Sequence, residues 1–135
     1  MFSARNQFAG KVTSVKEGAV NGIVTIDVNG TAVTATISMD SIKNLGVEAG
    51  KEATAFVKAT EVMVAVGELK ISARNQFAGK VAKVEAGAVN SIVTIEAPVG
   101  TISATISNAA VSELGLEAGK EATAVIKATS VMIGC

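Results

Sequence analysis

The sequence predicts an all-β protein made of two tandem small β-barrels, each carrying one short helix. Three observations lead there: a gapless internal repeat, apolar residues that alternate with a period of two, and turn signals between the alternating runs. A shift of 69 positions lays the block Ser3–Val12 on Ser72–Val81 without a change. The register then holds to the end, with 38 of the 64 positions from Ser3 to Val66 identical to their counterparts. The chain therefore divides into a first unit at 1–66, a connector at 67–70 and a second unit at 71–135. The connector Gly67-Glu68-Leu69-Lys70 is too short for a free linker, so the units are expected to sit against each other. A unit of about 65 residues buries only about 60% of the surface of its unfolded chain, which also calls for packing between units and between chains.

Within the first unit, strands are expected over 7–15, around Val24-Thr25-Ile26-Asp27-Val28, and around Val33-Thr34-Ala35-Thr36-Ile37. Asn29-Gly30 between the last two is a type I′ hairpin signal. The second unit has Pro98-Val99 there, so its turn must differ. A further strand fits 52–66, broken near Ala59-Thr60. One short helix fits 40–45, opened by a cap at Ser38 or Asp40 and ended by Gly46, with its copy at 108–114. Five short strands and one helix per unit suggest a small closed barrel of the OB type.

Composition narrows the function. Twelve basic and twelve acidic side chains cancel, which argues against a long basic footprint on nucleic acid. Histidine, tryptophan and tyrosine are absent and Cys135 is the single cysteine, so zinc sites, Ser-His-Asp triads and Cys-His pairs have no parts within one chain. No residue set resembles an acid/base or nucleophile constellation, and the expectation is a protein that is not an enzyme and carries no cofactor. Apolar runs such as Val62–Val66 fall far below the roughly 20 residues of a membrane helix, and the opening residues do not read as a secretory signal. A cytoplasmic protein without membrane contact is expected.

The informative side chains are cationic and recur at matched positions. Arg5 and Arg74 are the only arginines, each inside Ser-Ala-Arg-Asn-Gln-Phe-Ala-Gly-Lys-Val, and Lys58 and Lys127 lie in matched Lys-Ala-Thr steps. An arginine fork, a lysine point charge, hydroxyls and backbone N–H groups together make a shell of donors suited to a proton-free tetrahedral dianion. On composition alone the alternative stands that Arg5 and Arg74 decorate exposed strand ends. Met63 and Met132 read as barrel core, and Phe8 and Phe77 as core rather than base-stacking platforms. Glu48, Lys51 and Glu52, with Glu117, Lys120 and Glu121, read as solvated turns facing away from any anion, while Lys11, Lys80 and Cys135 stay open between surface and site or core.

The opening Ser-Ala-Arg-Asn-Gln block, then Leu-Gly-(Val/Leu)-Glu-Ala-Gly-Lys-Glu and Lys-Ala-Thr, twice over nearly the whole chain, resembles the Mop domain of the molbindins in its tandem, di-Mop form. The resemblance implies OB-type barrels, a homotrimer holding six such domains, and molybdate or tungstate bound between domains for storage and homeostasis. It points to Ser3, Ala4, Arg5, Asn6, Ser41, Lys58, Ala59 and Thr60 in the first unit, and to Ser72, Ala73, Arg74, Asn75, Lys127, Ala128 and Thr129 in the second. The second unit departs at Ala110, which stands where the first has Ser41. A further oxyanion site near a threefold axis is implied, with Val20 and Asn21, and Val89 and Asn90, as candidates; those turns are equally explained as hairpin connections. A different reading is an oxyanion-sensing module that docks to a partner protein.

Overall fold

The computed structural model describes residues 4–135. In the first half, β1 (Asn6–Lys16), β2 (Asn21–Val28) and β3 (Thr31–Ser38) lead into helix α1 (Met39–Leu45), then β4 (Glu52–Val57), a 3₁₀ turn at Ala59–Glu61 and the short β5 (Met63–Ala65). The second half repeats this as β6 (Asn75–Ala86), β7 (Asn90–Ala97), β8 (Gly100–Ser107), α2 (Asn108–Leu114), β9 (Glu121–Ile126), a 3₁₀ turn at Ala128–Ser130 and β10 (Met132–Gly134).

Local chemistry explains most boundaries. Asn29 and Gly30 both take positive φ, 52° and 83°, as a type I′ turn requires. Pro98-Val99 has no positive φ; the demand passes to Gly100 at 134°, and Val99 is buried. Ser38, not Asp40, caps α1: its side-chain oxygen accepts from the Ser41 N–H, and Gly46 closes the helix in the left-handed region. Ser107 and Gly115 do the same for α2. Lys51 and Lys120, expected as solvated turn residues, donate to the carbonyls of Gly46 and Leu114 at the helix ends. Gly10 and Gly79 lie where strands approach closely, since a Cβ there would run into the carbonyls of Asp27 and Glu96.

The fifth strand of each unit does not stay at home. The sheets run β10-β4-β1-β2-β3 and β5-β9-β6-β7-β8, so each is completed by a strand from the other unit. Met63 pairs with Val125 and Ala65 with Thr123, while Met132 pairs with Phe56 and Gly134 with Thr54, all antiparallel. Each sheet curls so that its edges approach, giving two OB-like halves whose interiors form one cluster that includes Phe8 and Phe77, Val24 and Val93, Ile26 and Ile95, and Val62 and Val131. Phe8 and Phe77 both lie in the core, as expected from the sequence.

Two polar clamps fix the halves. Asn6, 1% exposed, donates to the Ser103 carbonyl at 2.8 Å and accepts from the Ser103 N–H at 2.7 Å. Asn75, also 1% exposed, makes the equivalent pair with Thr34, both at 2.8 Å. Each amide thus behaves as one residue of an extra strand on the free edge of β3 or β8. Removing it by Asn75→Ala leaves two partly buried backbone groups unpaired, and urea unfolding is expected to show a loss of about 1–3 kcal/mol, with a similar loss for Asn6→Ala. Gly10→Ala is expected to cost more than Gly30→Ala in the same assay. The first forces a backbone collision, whereas nothing lies within 4 Å of a Cβ at Gly30 and only a left-handed φ is strained, at about 1 kcal/mol.

Candidate functional site

Two clefts related by the repeat bring the predicted cations together. The first, of about 390 Å³, is lined by Ala4, Arg5, Lys58, Ala59 and Thr60 from one unit and by Thr105 and Met132 from the other. The second, of about 350 Å³, is lined by Ser72, Ala73, Arg74, Lys127, Ala128 and Thr129, with Ile71, and across from them Thr36 and Met63. Ten of the matched residues expected from the sequence therefore meet in pairs of equivalent places: Ala4, Arg5, Lys58, Ala59 and Thr60, and Ala73, Arg74, Lys127, Ala128 and Thr129, with Ser72 joining the second set. Ser3 lies outside the described residues.

The scaffold around each arginine is built from its own block. Gln7 donates to the Ala4 carbonyl at 3.0 Å, and Gln76 to the Ala73 carbonyl at 2.9 Å, bracing the turn that precedes the strand. On the other side of the arginine, Asn6 or Asn75 holds the edge strand of the opposite unit. Asn6 and Asn75, expected among the anion's donors, are placed beside the clefts rather than in them: their amides are buried on a backbone, and neither lines a cleft. Because Thr34 turns its N–H and C=O to the free edge, the two-residue period of the strand turns those of Thr36 the same way, toward the cleft it lines. Thr105 stands in the same relation to Ser103.

The lysine comes from the 3₁₀ turn that follows it. That turn is closed by Glu61 N–H donating to Lys58 and Val62 N–H to Ala59, which leaves the Ala59 N–H outside its own ladder. The copy is closed by Ser130 and Val131. Arg5, Lys58, Arg74 and Lys127 are exposed and make no side-chain hydrogen bond or ion pair among the described residues. Four unspent cations, two to a cleft, with hydroxyls beside them, suit an anion with several acceptor oxygens.

Other expected residues are placed elsewhere. Ser41 lies in the first turn of α1, where its hydroxyl and that of Ser38 are 2.9 Å apart, and it lines neither cleft. Ala110 keeps the backbone half of that arrangement through Ser107, so the change from Ser41 removes one hydroxyl and no cap. Asn21 and Asn90 begin β2 and β7 at exposed turns, next to Val20 and Val89, which are 74% and 72% exposed. The Val20 and Val89 carbonyls accept from the first residue of each helix. Met63 and Met132 correct the expectation of barrel core: Met63 is 38% exposed, and both thioethers line the clefts because the strand that carries them crosses to the other unit. Those methionines, Thr36, Thr105 and Ile71 are the lining residues that sequence reasoning missed. The threonines recur in register on the outward side of their strands, but only the strand exchange says what they face. Lys11 lines a different hollow, with Asp27, Glu52 and the exposed thiol of Cys135.

Comparison with known proteins agrees with this fold. The TOBE domain profile matches residues 3–64 and again 71–133. A cytoplasmic molybdate-binding protein, ModG, solved with molybdate bound, superposes with a TM-score of 0.95 at 42% identity, covering 98% of this chain and 97% of that one. A probable molybdenum-pterin-binding protein of Haemophilus influenzae is 61% identical over 67 residues, 49% of this chain and 97% of its own length. The molybdenum transport protein ModE of Herbaspirillum seropedicae is 38% identical over 135 residues, and this chain spans 50% of its length. The chain belongs to the TOBE-domain family, as two tandem copies in two OB-like halves.

Proposed function

We propose that the two clefts bind a tetrahedral metal oxyanion, molybdate or tungstate, and that the protein stores and buffers that anion in the cytoplasm without a catalytic step. The observation that carries this reading is the convergence of Arg5 with Lys58, and of Arg74 with Lys127, on clefts whose far wall supplies a threonine. The molybdate-bound relative of the same fold and nearly the same length supports the choice of anion.

Binding on this reading is recognition alone. The arginine fork and the lysine offer donors and charge, the threonine hydroxyl and the backbone N–H of Ala59 or Ala128 add neutral donors, and the anion exchanges its water for these fixed groups. Among the described residues no carboxylate lines either cleft. A phosphate that keeps a proton needs an acceptor, whereas molybdate needs none, so a wall of donors favours the fully deprotonated anion. Sulfate is also deprotonated and is discriminated by size. The exposed clefts, together with the bare valines at Val20 and Val89, fit a homotrimer in which neighbouring chains close the sites and supply further donors such as Ser41; the turns at Asn21 and Asn90 then lie on contact surfaces.

A second reading, an oxyanion-sensing module docking to a partner, draws on the relative in which this chain matches only half the length. Capture of a partner from cells only when molybdate is present distinguishes it from storage.

Calorimetric titration with molybdate, tungstate and sulfate, with mass by light scattering on the same sample, tests the proposal. Tight binding of the first two and not of sulfate is expected, on a trimer. Arg5→Ala and Arg74→Ala are each expected to weaken one class of sites by at least about tenfold, the loss of a charge-assisted hydrogen bond. The double variant is expected to lose both classes; unchanged affinity and stoichiometry in it would sink the site assignment.

A further inference from the structure

The two clefts are copies, but the charges around them are not. In an antiparallel sheet, directly opposed residues share a face. Across the second sheet, Thr105 opposes Ile92, and Ile92 opposes Glu85. Across the first, Thr36 opposes Ile23, and Ile23 opposes Lys16. Thr105 and Thr36 line the clefts of Arg5 and Arg74 respectively, so Glu85 and Lys16 stand at matched places on the same outward face. Two strand spacings put their backbones about 10 Å from those threonines, a gap that extended side chains shorten. Ile23 and Ile92 are half-buried, Thr94 two residues from Ile92 is buried on the same face, and both charges are exposed.

The neighbours two residues earlier sharpen the difference. Lys83 shares the face of Glu85 and sits 2.9 Å from it as an ion pair. Its copy is Ser14, so among the described residues Lys16 has no paired carboxylate, and no second cation stands two residues before it. The first cleft therefore faces a neutral pair and the second an unpaired cation. Glu61 does not undo this. It follows Thr60 of the first cleft, while its carboxylate accepts from Ser130, which follows Thr129 of the second, so it lies between the two turns. The Arg5 field also reaches Glu85: its carboxyl is held below the usual range chiefly by the Lys83 hydrogen bond and charge, with Arg5 adding in the same direction.

We propose that Lys16 and Glu85 set unequal affinities of the two clefts for a dianion, so that the Arg74 cleft fills before the Arg5 cleft. The inference rests on the oxyanion reading of both clefts. For a dianion about 10 Å from an exposed unit charge, each unit changes affinity about threefold at low ionic strength and less at physiological salt.

The experiment reads each cleft alone. Arg5→Ala leaves the Arg74 cleft and Arg74→Ala leaves the Arg5 cleft, and both proteins are titrated with molybdate at low salt and again at high salt. The Arg5→Ala protein is expected to bind about threefold more tightly. Glu85→Gln in the Arg74→Ala background is expected to tighten binding about threefold and Glu85→Lys about tenfold. Lys16→Glu in the Arg5→Ala background is expected to weaken it about tenfold, and all these gaps shrink in high salt. Equal affinities that ignore Glu85 and Lys16, or a gap that salt leaves intact, would overturn the inference while leaving the sites standing. Full binding retained by both arginine variants would instead overturn the oxyanion reading, and the inference with it.

Discussion

Everything in this molecule depends on the exchange of two three-residue strands. A unit of about 65 residues leaves too much apolar surface in contact with water to be secure alone. Here β4 and β9 receive their edge partners from the opposite unit, and the two interiors become one cluster. The exchange adds only three paired residues on each side, yet it moves Val62 and Val131 into the shared core and covers an edge that would otherwise be open to other chains.

The same exchange builds the clefts. The chain crosses between sheets at the 3₁₀ turns Ala59–Glu61 and Ala128–Ser130, and those turns follow the two lysines directly. Cations from one unit therefore meet a threonine and a methionine of the other, and neither unit has a complete lining. Asn6 and Asn75 set how far apart these walls stand, because each is bonded to the opposite edge strand two residues from the lining threonine. An exposed arginine is normally free to wander. Here its backbone is held from one side by a glutamine on the preceding turn and from the other by the buried asparagine, so its starting point is fixed even though its side chain is solvated.

Much of this was legible in the sequence, and the rest has a physical reason for being hidden. Asn29-Gly30, the caps at Ser38 and Gly46, and the break at Ala59-Thr60 are local signals, each answered by a dihedral or hydrogen bond within a few residues. The alternation of Val62 to Val66 says strand but carries no address, since a buried face against one's own sheet and against a copy's sheet read alike. That is why Met63 and Met132 were expected in the core. Asn6 and Asn75 were expected among the donors only through the family resemblance, and the fold shows each amide serving an edge strand that the sequence does not announce. That Arg5 and Lys58, and Arg74 and Lys127, recur in register is legible in the sequence; that each pair meets in one cleft is a property of the fold.

The connector 67–70 joins two strands, β5 and β6, that already belong to the same sheet. The boundary between the repeats in sequence is thus not the boundary between the halves in space. A peptide bond cut there would part the chain into two fragments, each with a strand laid into the other's sheet and an asparagine hooked on the other's edge. The fragments would stay interlocked without a covalent link, as two copies of a single-unit ancestor would.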